Sequence, residues 1–116
     1  MRNLRNQVQL IGRLGANPVM SELSSGSKKV HMSIATSETF KNKEGERVTQ
    51  TQWHNVIAWN ANANFASSYL TKGTEVMILG KLTNRQYEDK NGTIRYITEV
   101  VADQMMIIQK KEAIAS

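Results

Sequence analysis

Trp53 and Trp59 sit six residues apart in Trp53-His54-Asn55-Val56-Ile57-Ala58-Trp59, a run that reads as a β-strand. Side chains on a strand alternate between its two faces, so both indoles share one face with Asn55 and Ile57. His54, Val56 and Ala58 take the other, which is the natural core side. A tryptophan on a strand more often fills a core. Here the core side is already supplied by smaller residues, which leaves the indoles outside. Two flat rings on an outer face could stack on flat ligands, and unpaired nucleic-acid bases are the obvious candidates.

The charge balance points the same way. Fifteen Lys and Arg oppose ten Asp and Glu, giving a net charge of +5 and a pI near 9.7. That excess favours an anionic partner. There are 116 residues, the size of one domain. With no cysteine, disulfides, zinc–thiolate sites and thiol nucleophiles are excluded. His31 and His54 are the only histidines, too few for a His-rich metal site. No apolar run approaches the roughly 18 residues of a membrane span. No apolar stretch follows Met1-Arg2-Asn3-Leu4-Arg5-Asn6 as in a secretory signal, so a cytoplasmic location is expected.

The elements that must position the indoles follow from periodicity. Residues 8–14 read as a first strand, with a turn at Gly15-Ala16-Asn17-Pro18 and a short edge piece at 20–23 before a flexible Ser/Gly tip. Residues 29–38 alternate, with Val30, Met32, Ile34 and Thr36 on the core face. Residues 40–46 read as a polar hairpin loop carrying Phe40, Lys41 and Lys43, and 47–59 as a strand. Phe65/Tyr69 and Ala66/Leu70 then repeat at i, i+4, which predicts a short helix within 60–72. Asn60 or Asn62 would cap it, and Gly73 would follow it. Residues 75–87 read as a long strand bent at Gly80. Asn91-Gly92 marks a hairpin, and strands at 93–101 and 105–109 complete the chain. Three strands, a helix and two or more strands predict an all-β, five-stranded OB-fold Greek-key barrel over 1–109, with 110–116 a loose end.

Five stretches go beyond pattern: residues 12–18 (GRLGANP), 34–38 (IATSE), 51–54 (TQWH), 69–73 (YLTKG) and 96–101 (YITEVV). In this order and spacing they resemble the bacterial single-stranded DNA-binding protein family over residues 7–108. The resemblance implies an OB-fold homotetramer that wraps single-stranded DNA in replication, recombination and repair, with no catalysis and no cofactor. It implies Phe40, Trp53, Trp59 and Tyr87 as base-stacking residues, with Phe40 and Tyr87 where the family often has Trp. Asn55 stands where some members carry Arg. His54 becomes a subunit-interface residue rather than a general base. Typical members end in a long tail with an acidic tip and a terminal Phe. This chain ends at 110–116 with neither, so recruitment of partner enzymes by a tail is not expected; a cut chain and a natural short form both fit.

Phosphate neutralisation falls to Arg2 and Arg5 near the N-terminus, Arg13, Lys41, Lys43, Lys72, Lys81 and Arg85, the last sharing a strand face with Tyr87. Met77 and Leu79 are apolar on the face away from Val76 and Ile78. Something must cover that second face, and a subunit contact or a covering loop would do so. Competing readings are an RNA-binding OB module, a primosome-type OB dimer, a nuclease and an oligosaccharide-binding barrel. The acidic pairs Glu44/Glu46 and Glu88/Asp89 fall in hairpin loops, where charge is expected without a metal.

Overall fold

The computed structural model describes residues 4–110. Arg2 and residues 111–116 lie outside them. The elements are β1 (Val8–Leu14), β2 (Val19–Glu22), β3 (Lys28–Lys41), β4 (Arg47–Trp59), α1 (Ala61–Tyr69), β5 (Glu75–Glu88) and β6 (Ile94–Gln109). Five strands close into the expected OB barrel. β1 pairs with β5, β5 with β6, and β4 with β3, all antiparallel. The ring shuts through a two-pair parallel contact, Val56–Val100 and Ile57–Val101, and through Arg13–Ala35 and Leu14–Ile34. β2 adds an edge to β3.

Glycine permits this closure where strands cross. A Cβ on Gly12 would strike the carbonyl of Ala35, and one on Gly80 would strike that of Val101. Inside lie Leu14, Val30, Met32, Ile34, Val56, Ala58, Val76, Ile78, Val100 and Ala102. Burying each of the larger aliphatics contributes about 1.5–3 kcal/mol. Ala63, Ala66 and Leu70 dock α1 against that core.

Several local expectations are corrected. Residues 93–101 and 105–109 form one continuous strand, β6. A bulge opposite Leu79–Gly80 leaves Asp103 unpaired and re-phases the strand, so Val100 and Ala102 face inward before it and Met105 and Ile107 after it. That change of phase is what reads as a break. Phe40 and Lys41 belong to β3, and only residues 42–46 turn. The Ser/Gly tip is a hydrogen-bonded turn from Leu23 to Ser27. The Asn60 side chain does not cap the helix. Its Oδ1 accepts from the Lys28 amide, 3.1 Å away, and ties β3 to the end of β4. Asn62 donates to the carbonyls of Ala102 and Asp103 at the bulge. The helix stops at Tyr69, so Gly73 lies beyond its C-terminal cap; its amide donates to the Leu14 carbonyl.

Two hairpin arms run past the barrel, β3–β4 and β5–β6. The radius of gyration is 16.4 Å, against about 13 Å for a compact domain of 100 residues. No helix among the described residues is long and apolar enough to cross a membrane.

The β5–β6 arm is fastened at its tip by one carboxylate. Asp89 accepts from the amides of Asn91 and Thr93 through Oδ1, and from Arg95 Nε through Oδ2 at 2.9 Å. The Arg95 donor, and then the Thr93 amide, hold this carboxyl below the usual carboxylate range. A depressed value means the fastening is complete above the ordinary carboxylate pKa of about 4. It is lost as pH falls through the lower folded value. Hydrogen exchange should therefore show the Asn91 and Thr93 amides equally protected from pH 5 to 8, after correction for intrinsic rates. Asp89→Ala should expose both at neutral pH while barely moving the unfolding midpoint.

Candidate nucleic-acid interface

Strand registry assembles one continuous outer surface. β3 and β4 pair without interruption from Lys29–Trp59 to Lys41–Arg47, so alternate pairs face outward together: Lys29–Trp59, His31–Ile57, Ser33–Asn55, Ala35–Trp53 and Lys41–Arg47. The Ile57–Val101 pair carries the surface onto β6, and thence to Lys81, Thr83, Arg85 and Tyr87 of β5, paired with Val101, Glu99, Ile97 and Arg95. Trp53, Trp59 and Tyr87 therefore share one side of the molecule. Trp53 is 62% exposed, while Val56 and Ala58 beside it in the strand are fully buried.

Trp53 rests against Gly15 in the β1–β2 turn. A Cβ there would collide with Cζ3 of the indole and lie 2.9 Å from Cη2. The glycine thus lets one edge of the ring pack down while the rest stays open. Trp59 carries Lys29 Nζ at 5.7 Å from its ring centroid, a cation–π contact. A base stacked on Trp59 would bring its phosphate close to that ammonium. Lys29 was not among the sequence candidates. Its alternation with His31 and Ser33 was readable, but only the β3–β4 register puts it over Trp59.

Phe40 is placed differently. It pairs with Val48 on the opposite face of the β3–β4 ribbon from Trp53. It is nearly half exposed. A strand reaching it from Trp53 must pass around the edge of the arm.

The cations divide into committed and open. Arg85 donates to Glu99 as a fork, Nε to Oε1 at 2.9 Å and Nη2 to Oε2 at 3.3 Å. Glu99 is 5% exposed and the Arg85 side chain 49%. The bonds to Glu99, and then its charge, hold the guanidinium above its already high range. The pair is net neutral, which weakens the expectation of a simple phosphate contact. Losing Arg85 alone would strand a buried carboxylate, whereas replacing both residues with apolar ones would not. Arg13 donates to the Gly73 carbonyl at 2.7 Å and to Gln109 at 3.3 Å.

By contrast, Lys41, Lys81 and the unpredicted Arg47 have no ion pair among the described residues. Lys41 and Arg47 face each other across the ribbon. Like charges directly opposed are destabilising, and an anion between them relieves that repulsion. Lys43 is exposed at the tip of the arm. Lys72 is exposed just beyond α1, its amide bonded to Asn17. Arg5 is exposed ahead of β1.

The residues expected at a subunit contact lie elsewhere. Met77 and Leu79 are half-buried on the outside of the barrel, around a recess of about 340 Å³ with Gln9, Gln104, Met105 and Met106. Ile11 and Met106 on the same side are about half exposed. His54 faces inward at the root of the two arms, half-buried, hydrogen-bonded to Thr36 Oγ1 at 2.9 Å and beside Leu82 and Thr98. No group of three or more His, Asp or Glu that could hold a metal forms among the described residues.

A model of the single-strand binding protein family matches residues 5–108. Single-stranded DNA-binding protein 1 of Chlorobaculum tepidum is 40% identical over 109 residues, covering 93% of this chain and 67% of that protein. Its namesake in Xylella fastidiosa is 37% identical over 108 residues, covering 92% of this chain and 79% of that protein. Among solved structures, the Plasmodium falciparum SSB complex with ssDNA superposes with a TM-score of 0.82 at 28% identity, covering 94% of this chain and 98% of that one.

Gly15→Ala should turn the Trp53 indole while leaving the barrel intact, because the displaced ring is an exposed side chain. The expected result is a shifted tryptophan emission and roughly fivefold weaker binding to oligo(dT), a loss of about 1 kcal/mol of stacking. Urea unfolding should change little.

Proposed function

The chain belongs to the single-strand binding protein family, and on that premise we propose that it binds single-stranded DNA without regard to sequence, on the face built from Trp53, Trp59 and Tyr87. The observation that carries this reading is the shared outward registry of those rings with Lys29, Lys41, Arg47 and Lys81. Stacking needs a π-face, which every base has and a duplex hides. Lysine and arginine supply affinity by releasing counterions from phosphates, again without reading sequence. Together they select single strands and ignore base identity over most of the path. Phe40 extends the path where the strand rounds the β3–β4 arm, with Lys43 near by. Lys72, Arg5, Arg2 and Arg13 stand as more distant phosphate contacts. The protein acts by binding and not by catalysis.

The working unit is a homotetramer, in which copies cover the apolar side carrying Ile11, Met77, Leu79 and Met106, with His54 at a subunit contact. Support comes from apolar side chains half exposed on a barrel wall, a cost that burial against another copy removes. Its role is protection of exposed strands during replication, recombination and repair, at the nucleoid in the cytoplasm.

A tryptophan-fluorescence titration tests the binding. Oligo(dT) should quench the emission strongly and a duplex hardly at all. The log of affinity should fall with log salt at a slope steeper than about −2 per chain, as expected for three or four neutralised phosphates. Quenching by duplex equal to that by oligo(dT) would reject the stacking face. Sedimentation velocity should give a tetramer, and Met77→Glu/Leu79→Glu a smaller species.

A further inference from the structure

Beside Trp59 the outer surface dips into a recess of about 410 Å³, within the size range of small-ligand sites. Ile57 and Ile97 give it apolar lining, Lys29 and His31 stand on the β3 side, and the Arg85–Glu99 pair on the β5–β6 side. His31 Nε2 donates to Asn55 Oδ1 at 3.2 Å, so that ring is held in place. The phosphate-directed cation here is Lys29, on the Trp59 ring. What the recess offers in addition is a partly apolar hollow, edged by donors, that shares Lys29 with the Trp59 ring.

Arg85 is the unusual member of that edge. Glu99 occupies its Nε and one hydrogen of Nη2, the side of the guanidinium fork. Among the described residues the end-on edge, Nη1 with the second hydrogen of Nη2, makes no hydrogen bond. A planar pair of donors, held rigid by a carboxylate behind it, matches two adjacent acceptors on a base edge. Guanine offers such a pair in O6 and N7, and unpaired cytosine in N3 and O2; adenine and thymine carry no two adjacent acceptors on one edge. A phosphate is the poorer fit. Ile57 and Ile97 share the lining with Ser21, Leu23, Lys29 and His31, Lys29 is already drawn to the Trp59 ring, and the Arg85–Glu99 pair has no net charge to give it.

We propose that this recess seats one base of the bound strand and that Arg85, braced by Glu99, gives that position a preference for guanine and cytosine over adenine and thymine. The inference rests on the single-strand-binding reading and adds a local base preference to an otherwise sequence-tolerant path.

The test uses the full chain and thymine oligonucleotides of one length carrying a single central substitution, compared by competition. One dG or one dC should bind about fivefold or more tighter than one dA, the discrimination expected of a bidentate arginine–base contact. Inosine, which keeps O6 and N7, should retain the gain. 7-Deazaguanine, which lacks N7, should lose most of it. The double variant Arg85→Met/Glu99→Met should bind all substitutions alike, with the same salt slope as the parent. Equal affinities for dG, dA and dC in the parent would overturn the proposal. So would a preference that survives in the double variant, or a uniform loss with a shallower slope, which would make Arg85 a phosphate contact. If the double variant does not fold, the analogue series on the parent protein decides. Failure of every oligonucleotide to bind would instead remove the single-strand reading itself.

Discussion

Period-two alternation, locked by the uninterrupted β3–β4 register, is the constraint on which the rest of the molecule depends. One phase of β4 sends Val56 and Ala58 into the barrel; the other sends Trp53, Asn55, Ile57 and Trp59 outward. A slip of one residue would exchange the two sets, burying indoles where only small aliphatics fit. The core therefore fixes the outer aromatic face without any ligand being present. Closure adds a second condition. Because β4 meets β6 over only two residue pairs, the β3–β4 and β5–β6 arms separate soon after the barrel. They spread a surface wider than the barrel itself, and a surface of that width suits a ligand bound along its length.

The electrostatics of that face are more differentiated than its net charge implies. Arg85 and Arg95 are held by Glu99 and Asp89, and each serves geometry first: one braces a buried carboxylate, the other fastens a hairpin tip. Lys41, Arg47 and Lys81 are left to the solvent, and Lys29 is poised over a ring. On the proposed reading, affinity from counterion release would come from a few open cations, while orientation would come from fixed ones. That division would let a chain of modest charge neutralise phosphates without a rigid grid that demands one strand conformation.

Much of this was legible before the structure. The outward indoles, the core phase of β3 and β4, the helix between β4 and β5, the Asn91-Gly92 hairpin and the barrel class all follow from spacing and turn chemistry. So does the outward apolar phase of Met77 and Leu79. What spacing could not supply was register. Lys29 and Arg47 enter the site only through their partners on the neighbouring strand, Trp59 and Lys41. Phe40 takes the face opposite Trp53 because β3 runs on through it instead of yielding to a loop. Arg85 shares a face with Tyr87 as expected, yet its partner Glu99 is 14 residues away across a hairpin, and no local pattern announces that pairing. The bulge at Asp103 hid the continuity of β6 by switching its phase in mid-strand.

The central claim is that stacking and phosphate neutralisation are separate terms on one face. The direct test is the salt dependence of oligo(dT) binding, by anisotropy of a labelled strand, for the parent protein and for Trp53→Ala/Trp59→Ala. Losing two stacked bases should weaken binding by at least about tenfold at every salt concentration. The slope of log affinity against log salt should stay the same, because no phosphate contact has been removed. Undiminished affinity in the double variant, or a slope that becomes shallower with it, would contradict the account.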